Sequence, residues 1–264
     1  MIIDGKIIAE EIVSSLAVEY KKLSRQPVLG ILIVGHSTAT ESFVRIKTQI
    51  GERLGVRMVH VFLEAEATTE VAVAEVKRLS KEWDGVIVQL PLPKKLNIDE
   101  VLSAIPVGKD VDALNPTIPY DKQKMHAPVA CAVGEILRRY RVDVRCKNAV
   151  VIGVGRLVGA PCISLLRSLG ANVSIVTRGE GSLDLLLNAD IIVSGTGVPA
   201  LIKPNMIKTG VALIDAGASE QSGKLVGDAD PLCGEKCAVF TPVPRGVGPI
   251  AIAMIYRNLF TILK

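Results

Sequence analysis

Four stretches of this chain carry residue types at spacings suited to chemistry. In Ser42-Phe43-Val44-Arg45-Ile46-Lys47 a lysine lies one helical turn beyond Phe43. A helix over residues 39 to 55 would put Phe43, Ile46, Ile50 and Leu54 on one apolar face at spacings of three and four, with Lys47 on its border. A lysine on such a border is partly desolvated, which disfavours the ammonium form and suits the amine to exchange protons near neutrality. The ordinary alternative is a solvated lysine whose stem covers its neighbours. Two further strings, VQLPLP with Gln89 and KDVDALNP with Asp112, supply a neutral amide and a carboxylate that can meet the lysine in a cleft. On local sequence alone Asp112 reads equally well as a loop-capping aspartate.

The fourth stretch is Gly153-Val154-Gly155-Arg156-Leu157-Val158-Gly159, a G-x-G-x-x-x-G spacing between an expected strand and an expected helix. In that setting the first glycine permits a tight turn, the second lets backbone approach a pyrophosphate, and the third allows close helix packing, while the helix amino terminus attracts the anion. The end of the following strand reads Val176-Thr177-Arg178-Gly179-Glu180. An arginine there can pair with the extra phosphate of NADP, whereas an acidic residue would bind the ribose hydroxyls of NAD. Arg178 therefore favours NADP, with Glu180 as the counter-candidate. Thr196, just beyond the strand ADIIVSG, joins the expected cofactor contacts together with Gly153, Gly155, Arg156, Gly159 and Arg178.

Alternating elements must position these groups. The chain has 264 residues, 49% hydrophobic but only 3% aromatic, so its interior is built from Val, Ile, Leu and Ala, as in α/β layers. A helical period over 7 to 23, the apolar run VLGILIV at 28 to 34, the Lys47 helix, RMVHVFLE at 57 to 64, a helix near 69 to 82 opened by Thr68 or Thr69, and GVIVQL at 85 to 90 form a first alternation. Pro91 and Pro93 stop its last strand, placing Gln89 at a strand's carboxyl end, where open α/β sheets bind ligands. NAVVIG at 148 to 153, a helix over 157 to 169, and strands at 171 to 177, 189 to 195 and 211 to 217 form a second. The polar segment 115 to 128, with Pro116, Pro119 and Pro128, reads as a domain crossing.

A net charge of +4 without a basic stripe excludes nucleic acid as the expected partner but suits anionic small molecules. Asp4 and Lys6 interrupt the amino-terminal MIIDGKII, and no apolar stretch reaches the length of a membrane span, so a cytoplasmic protein is expected. Five cysteines and three scattered histidines show no metal-finger spacing, and no metal is expected.

The full chain resembles the bifunctional methylenetetrahydrofolate dehydrogenase/cyclohydrolase family. The resemblance rests on IIDGKIIA, SFVRIK, DGVIVQLPLP, KDVDALNP, the glycine loop with VGAP, GDAD at 227 to 230, and TPVPRGVGPI at 241 to 250. It implies two α/β domains separated by a deep interdomain cleft: an amino-terminal catalytic, folate-binding domain over 1 to 115, joined by a helix at 247 to 264, and a Rossmann-type domain over 116 to 246. It further implies a protein, usually a homodimer, that oxidises methylenetetrahydrofolate with NAD(P) and hydrolyses the methenyl product to formyltetrahydrofolate. Carried over, the catalytic lysine is Lys47, its partner Gln89 and the pterin-anchoring aspartate Asp112, with Phe43 and Pro249 against the substrate. Phe43 stands where the family commonly has Tyr, Val154-Gly155 where it has Arg-Ser, VACAVG at 129 to 134 where it has PCTPxG, and PRGVGPIA at 244 to 251 where it has PGGVGPMT. Two alternatives are a shikimate-type NADP dehydrogenase, against which VQLPLP and KDVD speak, and a folate- or dinucleotide-binding protein without catalysis.

Overall fold

The computed structural model describes every residue except His36, Ser37, Lys124 and Ser222, together with the side chains of all but these and Thr38 and Ala39. Along the chain run α1 (Gly5–Tyr20), β1 (Val28–Val34), α2 (Thr38–Arg53), β2 (Arg57–Leu63), α3 (Thr69–Glu82), β3 (Gly85–Val88) and the short α4 (Ile98–Ser103). They are followed by α5 (Pro128–Arg139), β4 (Asn148–Ile152), α6 (Gly159–Ser168), β5 (Asn172–Val176), β6 (Ile191–Ser194), β7 (Ala212–Asp215), the hairpin β8 (Ser219–Gln221) and β9 (Lys224–Val226), β10 (Val239–Thr241) and α7 (Val247–Leu263). Thr68 caps α3 by accepting from Val71 N–H, as the sequence pattern implied.

The chain divides into two compact units, one of residues 10 to 126 and 252 to 264, the other of 1 to 9 and 127 to 251. The boundaries expected from sequence lay at 115/116 and 246/247. Hydrogen bonds explain the differences. Ile3 N–H donates to Phe240 C=O and Phe240 N–H to Met1 C=O, so the amino-terminal residues add to the sheet edge at β10. At the other boundary, Thr117 N–H donates to Asn115 Oδ1 at 2.9 Å and Asn258 Nδ2 donates to His126 C=O at 3.0 Å, tying both ends of the polar segment to the unit of residues 10 to 126 and 252 to 264.

The first unit holds a parallel sheet in the order β2-β1-β3. Its central strand is buried along nearly its whole length, as its unbroken apolar run requires. Gly30 is essential there, because any Cβ would enter the Trp83 ring. The second unit holds a five-stranded parallel sheet ordered β10-β7-β6-β4-β5. Its first strand, β4, has β5 on one side and β6 on the other, so the winding reverses between β4 and β6. That reversal opens a crevice at their carboxyl ends, the usual ligand position of doubly wound sheets. Cys233 and Cys237 are packed into this unit's apolar core with Ile202 and Phe240, a structural placement. Among the described residues no group of His, Cys, Asp or Glu could hold a metal ion, and no helix is long and apolar enough to cross a membrane.

Candidate functional site

Lys47 is buried, 8% exposed, and its Nζ donates to Gln89 Oε1 at 2.9 Å. The face of α2 that carries it differs from the expected one. Phe43 and Ile46 are each 38% exposed, whereas Thr40, Val44, Lys47, Gly51 and Leu54 are buried. Those five recur at steps of four, three, four and three, so the buried stripe is helical, but two of its members, Thr40 and Lys47, are polar. Lys47 sits inside the stripe, not on its border. Phe43 instead presents its ring outward, as a stacking surface must.

The second member of the pair is fixed from both ends. Gln89 N–H donates to Leu32 C=O at 2.9 Å, extending the β3 ladder by one residue, and its Nε2 donates to Leu90 C=O at 2.7 Å. Because the amide NH2 is spent on a carbonyl, Oε1 is the atom left to receive the lysine. An amide orients the amine without adding a counter-charge.

Asp112 completes the group electrostatically. Burial pushes its carboxyl above the usual carboxylate range, and the nearby Lys47 charge opposes that rise. The neighbouring Asp110 is 2% exposed, and burial foremost drives it up to about 6, with the Asp112 charge adding to the rise; Leu114 and Asn115 N–H donors to its Oδ2 work against both. Among the described residues neither its buried Oδ1 nor Gln123 Oε1 has a hydrogen-bond partner, and the two residues line one small cavity. An unpaired acceptor of this kind favours the protonated acid. A carboxyl whose folded pKa exceeds its unfolded value of 3.8 stabilises the fold fully below that value and loses the contribution as pH rises through about 6. Asp110→Asn should therefore flatten the urea-stability profile between pH 4 and 7, removing a decline of roughly 2 kcal/mol. An unchanged slope would show that Asp110 is ionised throughout.

In the other unit the glycine loop takes the form expected of an anion cradle. Gly153 has φ +87°, which a side chain would resist, and a Cβ on Gly159 would strike the Gly153 carbonyl carbon at 2.7 Å. A Cβ on Gly155 would meet nothing within 4 Å, leaving open space over the backbone at the one glycine whose role is ligand approach. Helix α6 opens without a side-chain cap. Arg178 is exposed two residues beyond β5, and Thr177 N–H closes the turn on Glu180 C=O at 2.7 Å, so Glu180 is held by the turn through its backbone. These residues fit a dinucleotide: a loop for the pyrophosphate, a helix terminus for its charge and a cation beyond the second strand.

Thr196 adjoins this loop, its Cγ2 lying 3.4 Å from where a Gly153 Cβ would stand. Its hydroxyl donates to Asp228 Oδ2 at 3.0 Å and accepts from Val198 N–H at 3.2 Å. Asp228, fully buried, also accepts from Ser194 Oγ, Thr196 N–H and Val198 N–H, and thus holds the whole turn beyond β6. In the sequence Asp228 was only part of the GDAD string. An aspartate preceded by glycine was its sole signal, and only its burial and its partners reveal the role. Arg245, at a position usually glycine in the resembling family, has φ +83° and pairs with Asp4 at 2.5 Å. Pro249 lies in the first turn of α7, partly exposed.

A doubly wound sheet with a glycine cradle, joined in one chain to an α/β unit carrying a buried lysine and glutamine, defines a two-unit NAD(P)-linked oxidoreductase. Family profiles make the assignment specific: "Tetrahydrofolate dehydrogenase/cyclohydrolase, catalytic domain" matches residues 3–112 and its NAD(P)-binding domain matches 127–264. The chain belongs to the tetrahydrofolate dehydrogenase/cyclohydrolase family. It is 36% identical over 269 residues to the bifunctional protein FolD of Staphylococcus aureus, covering 97% of this chain and 94% of that one. Among solved structures, the bifunctional FolD enzyme of Campylobacter jejuni superposes with TM-score 0.94 at 30% identity, covering 100% of this chain and 98% of that one. The Trypanosoma brucei enzyme, solved with NADP and an inhibitor, gives 0.93 at 33% identity, with coverage of 100% and 97%. The protein is a bifunctional methylenetetrahydrofolate dehydrogenase and methenyltetrahydrofolate cyclohydrolase.

Proposed function

We propose that Lys47, Gln89 and Asp112 are the catalytic group of both folate reactions, and that NADP is the preferred oxidant. The buried Lys47–Gln89 hydrogen bond of 2.9 Å is the observation that carries this reading. Asp112 accepts hydrogen bonds from the pterin's amino group and ring nitrogen, while Phe43 offers a ring for stacking and Pro249 a further apolar contact. In the oxidation the bound dinucleotide supplies the hydride acceptor, and the chain's work is orientation. In the hydrolysis water adds to the methenyl carbon and the ring carbon–nitrogen bond opens. One proton leaves the attacking water, one reaches the departing nitrogen, and the formyl group remains on the other nitrogen. Lys47 Nζ, held by Gln89 Oε1, is placed to move those protons.

Purified protein given methylenetetrahydrofolate and either NADP or NAD should form the methenyl product, read by its absorbance, and then consume it by hydrolysis. Binding of folate and dinucleotide without turnover would instead identify a binding protein. A homodimer accompanies this reading. Strand β2 is the outer strand of its sheet and leaves Phe62 57% exposed, a surface suited to a second copy. Sedimentation should give about twice the 28.1 kDa chain mass, and a monomer at micromolar concentration would count against it.

A further inference from the structure

Helix α7 touches both catalytic segments of the folate unit through two buried polar side chains. Tyr256 is 0% exposed, and its hydroxyl donates to the backbone carbonyl of Lys47 itself. The Gly51 N–H, one helical turn on, faces the Tyr256 hydroxyl oxygen, and Met58 Sδ lies 3.7 Å from that oxygen. Residue 51 must be small for this: a Cβ there would stand 2.8 Å from the hydroxyl. Tyr20 hydroxyl in turn donates to Tyr256 C=O at 2.8 Å. Asn258, 6% exposed, spends both amide hydrogens on backbone, donating to Val111 C=O at 2.8 Å and to His126 C=O at 3.0 Å. Val111 precedes Asp112. Residues two apart on a helix point about 200° from one another, so α7 reaches the lysine from one face and the aspartate loop from the other.

We propose that Tyr256 and Asn258 are separate positioning residues, Tyr256 setting the reach of Lys47 toward Gln89 and Asn258 setting the depth of Asp112. This rests on the catalytic assignments of Lys47 and Asp112 above. Removing the hydroxyl frees α2 to shift along its axis at the lysine, and sub-ångström to ångström misplacement of a proton-transferring group costs rate more than affinity. Loosening the Val111 carbonyl displaces a group that binds pterin, which costs affinity.

Steady-state hydrolysis of methenyltetrahydrofolate across pH by Tyr256→Phe, Asn258→Ala, Gly51→Ala and Lys47→Met tests it, with melting temperatures as a fold control. Tyr256→Phe should lower kcat about tenfold and displace the pH profile, with KM within about twofold. Asn258→Ala should raise folate KM at least about fivefold with kcat little changed. Gly51→Ala, which crowds the hydroxyl, should reproduce the Tyr256→Phe effect and serves in its place should that variant not fold. Equal loss of kcat and KM in all three, or unaltered kinetics in Tyr256→Phe and Asn258→Ala beside an inactive Lys47→Met, would overturn the positioning roles alone. Wild-type hydrolysis by Lys47→Met would overturn the catalytic reading and the positioning roles with it.

Discussion

Lys47→Met is expected to lower methenyltetrahydrofolate hydrolysis by about 10³-fold, the middle of the range that one positioned acid–base group contributes. Methionine keeps the length and flexibility of the side chain, so the buried stripe of α2 stays filled and the fold should survive. What disappears is the only donor to Gln89 Oε1 identified above, and with it the positive charge that restrains the upward displacement of the Asp112 carboxyl. Without that charge Asp112 is protonated more readily, so pterin binding should weaken as well and more steeply toward low pH. Single-turnover hydrolysis under saturating folate separates the two effects. A rate within tenfold of wild type would remove Lys47 from the proton-transfer role, whatever happens to affinity.

The second large effect is expected at the dinucleotide. Arg178→Ala should weaken NADP by roughly 10²-fold, the value of a charge-assisted pair with a phosphate, and leave NAD within about threefold. The argument rests on place. Arg178 is exposed just beyond β5, and among the described residues it is the basic side chain in the turn Thr177–Glu180 that the Thr177 N–H to Glu180 C=O bond closes. The departure at Val154-Gly155 sharpens the expectation: a loop without the family's usual arginine and serine has fewer groups to share the extra phosphate, so more of the preference falls on Arg178. Titration calorimetry with each dinucleotide measures it. Equal losses for NADP and NAD would assign Arg178 to the common part of the two molecules.

Much of this arrangement was legible in the chain, for identifiable reasons. The parallel strand β1 is an apolar run and β4 is one after its opening Asn148, and their short length and β-branched residues read as buried strand and not helix. The glycine loop was legible because the turn, the helix contact and the ligand approach each demand glycine at a fixed offset. Lys47 was found, but through the wrong face of its helix. Periodicity ranks Phe43 and Ile46 as core by residue type, yet a buried surface built from Thr40, Lys47 and Gly51 is set by partners more than 40 residues away, Gln89 and Tyr256. No local window contains them. Helix α5 was missed because Pro128 opens it and two more prolines precede it, which reads as a crossing loop although proline is at home in a first helical turn. Strand β10, only three residues long, is defined by its pairing with β7 and by the amino-terminal residues that join it.

Those amino-terminal residues carry a consequence for how the protein can be taken apart. The chain passes from one unit to the other three times, at 9/10, 126/127 and 251/252, so each unit is assembled from two separate lengths of sequence. A fragment ending near residue 126 keeps Lys47, Gln89 and Asp112 but lacks Tyr256 and Asn258; a fragment starting there keeps the glycine loop but lacks the residues paired with β10. Neither activity is therefore a detachable cassette. Fusion, shuffling or truncation at the apparent midpoint breaks both units together.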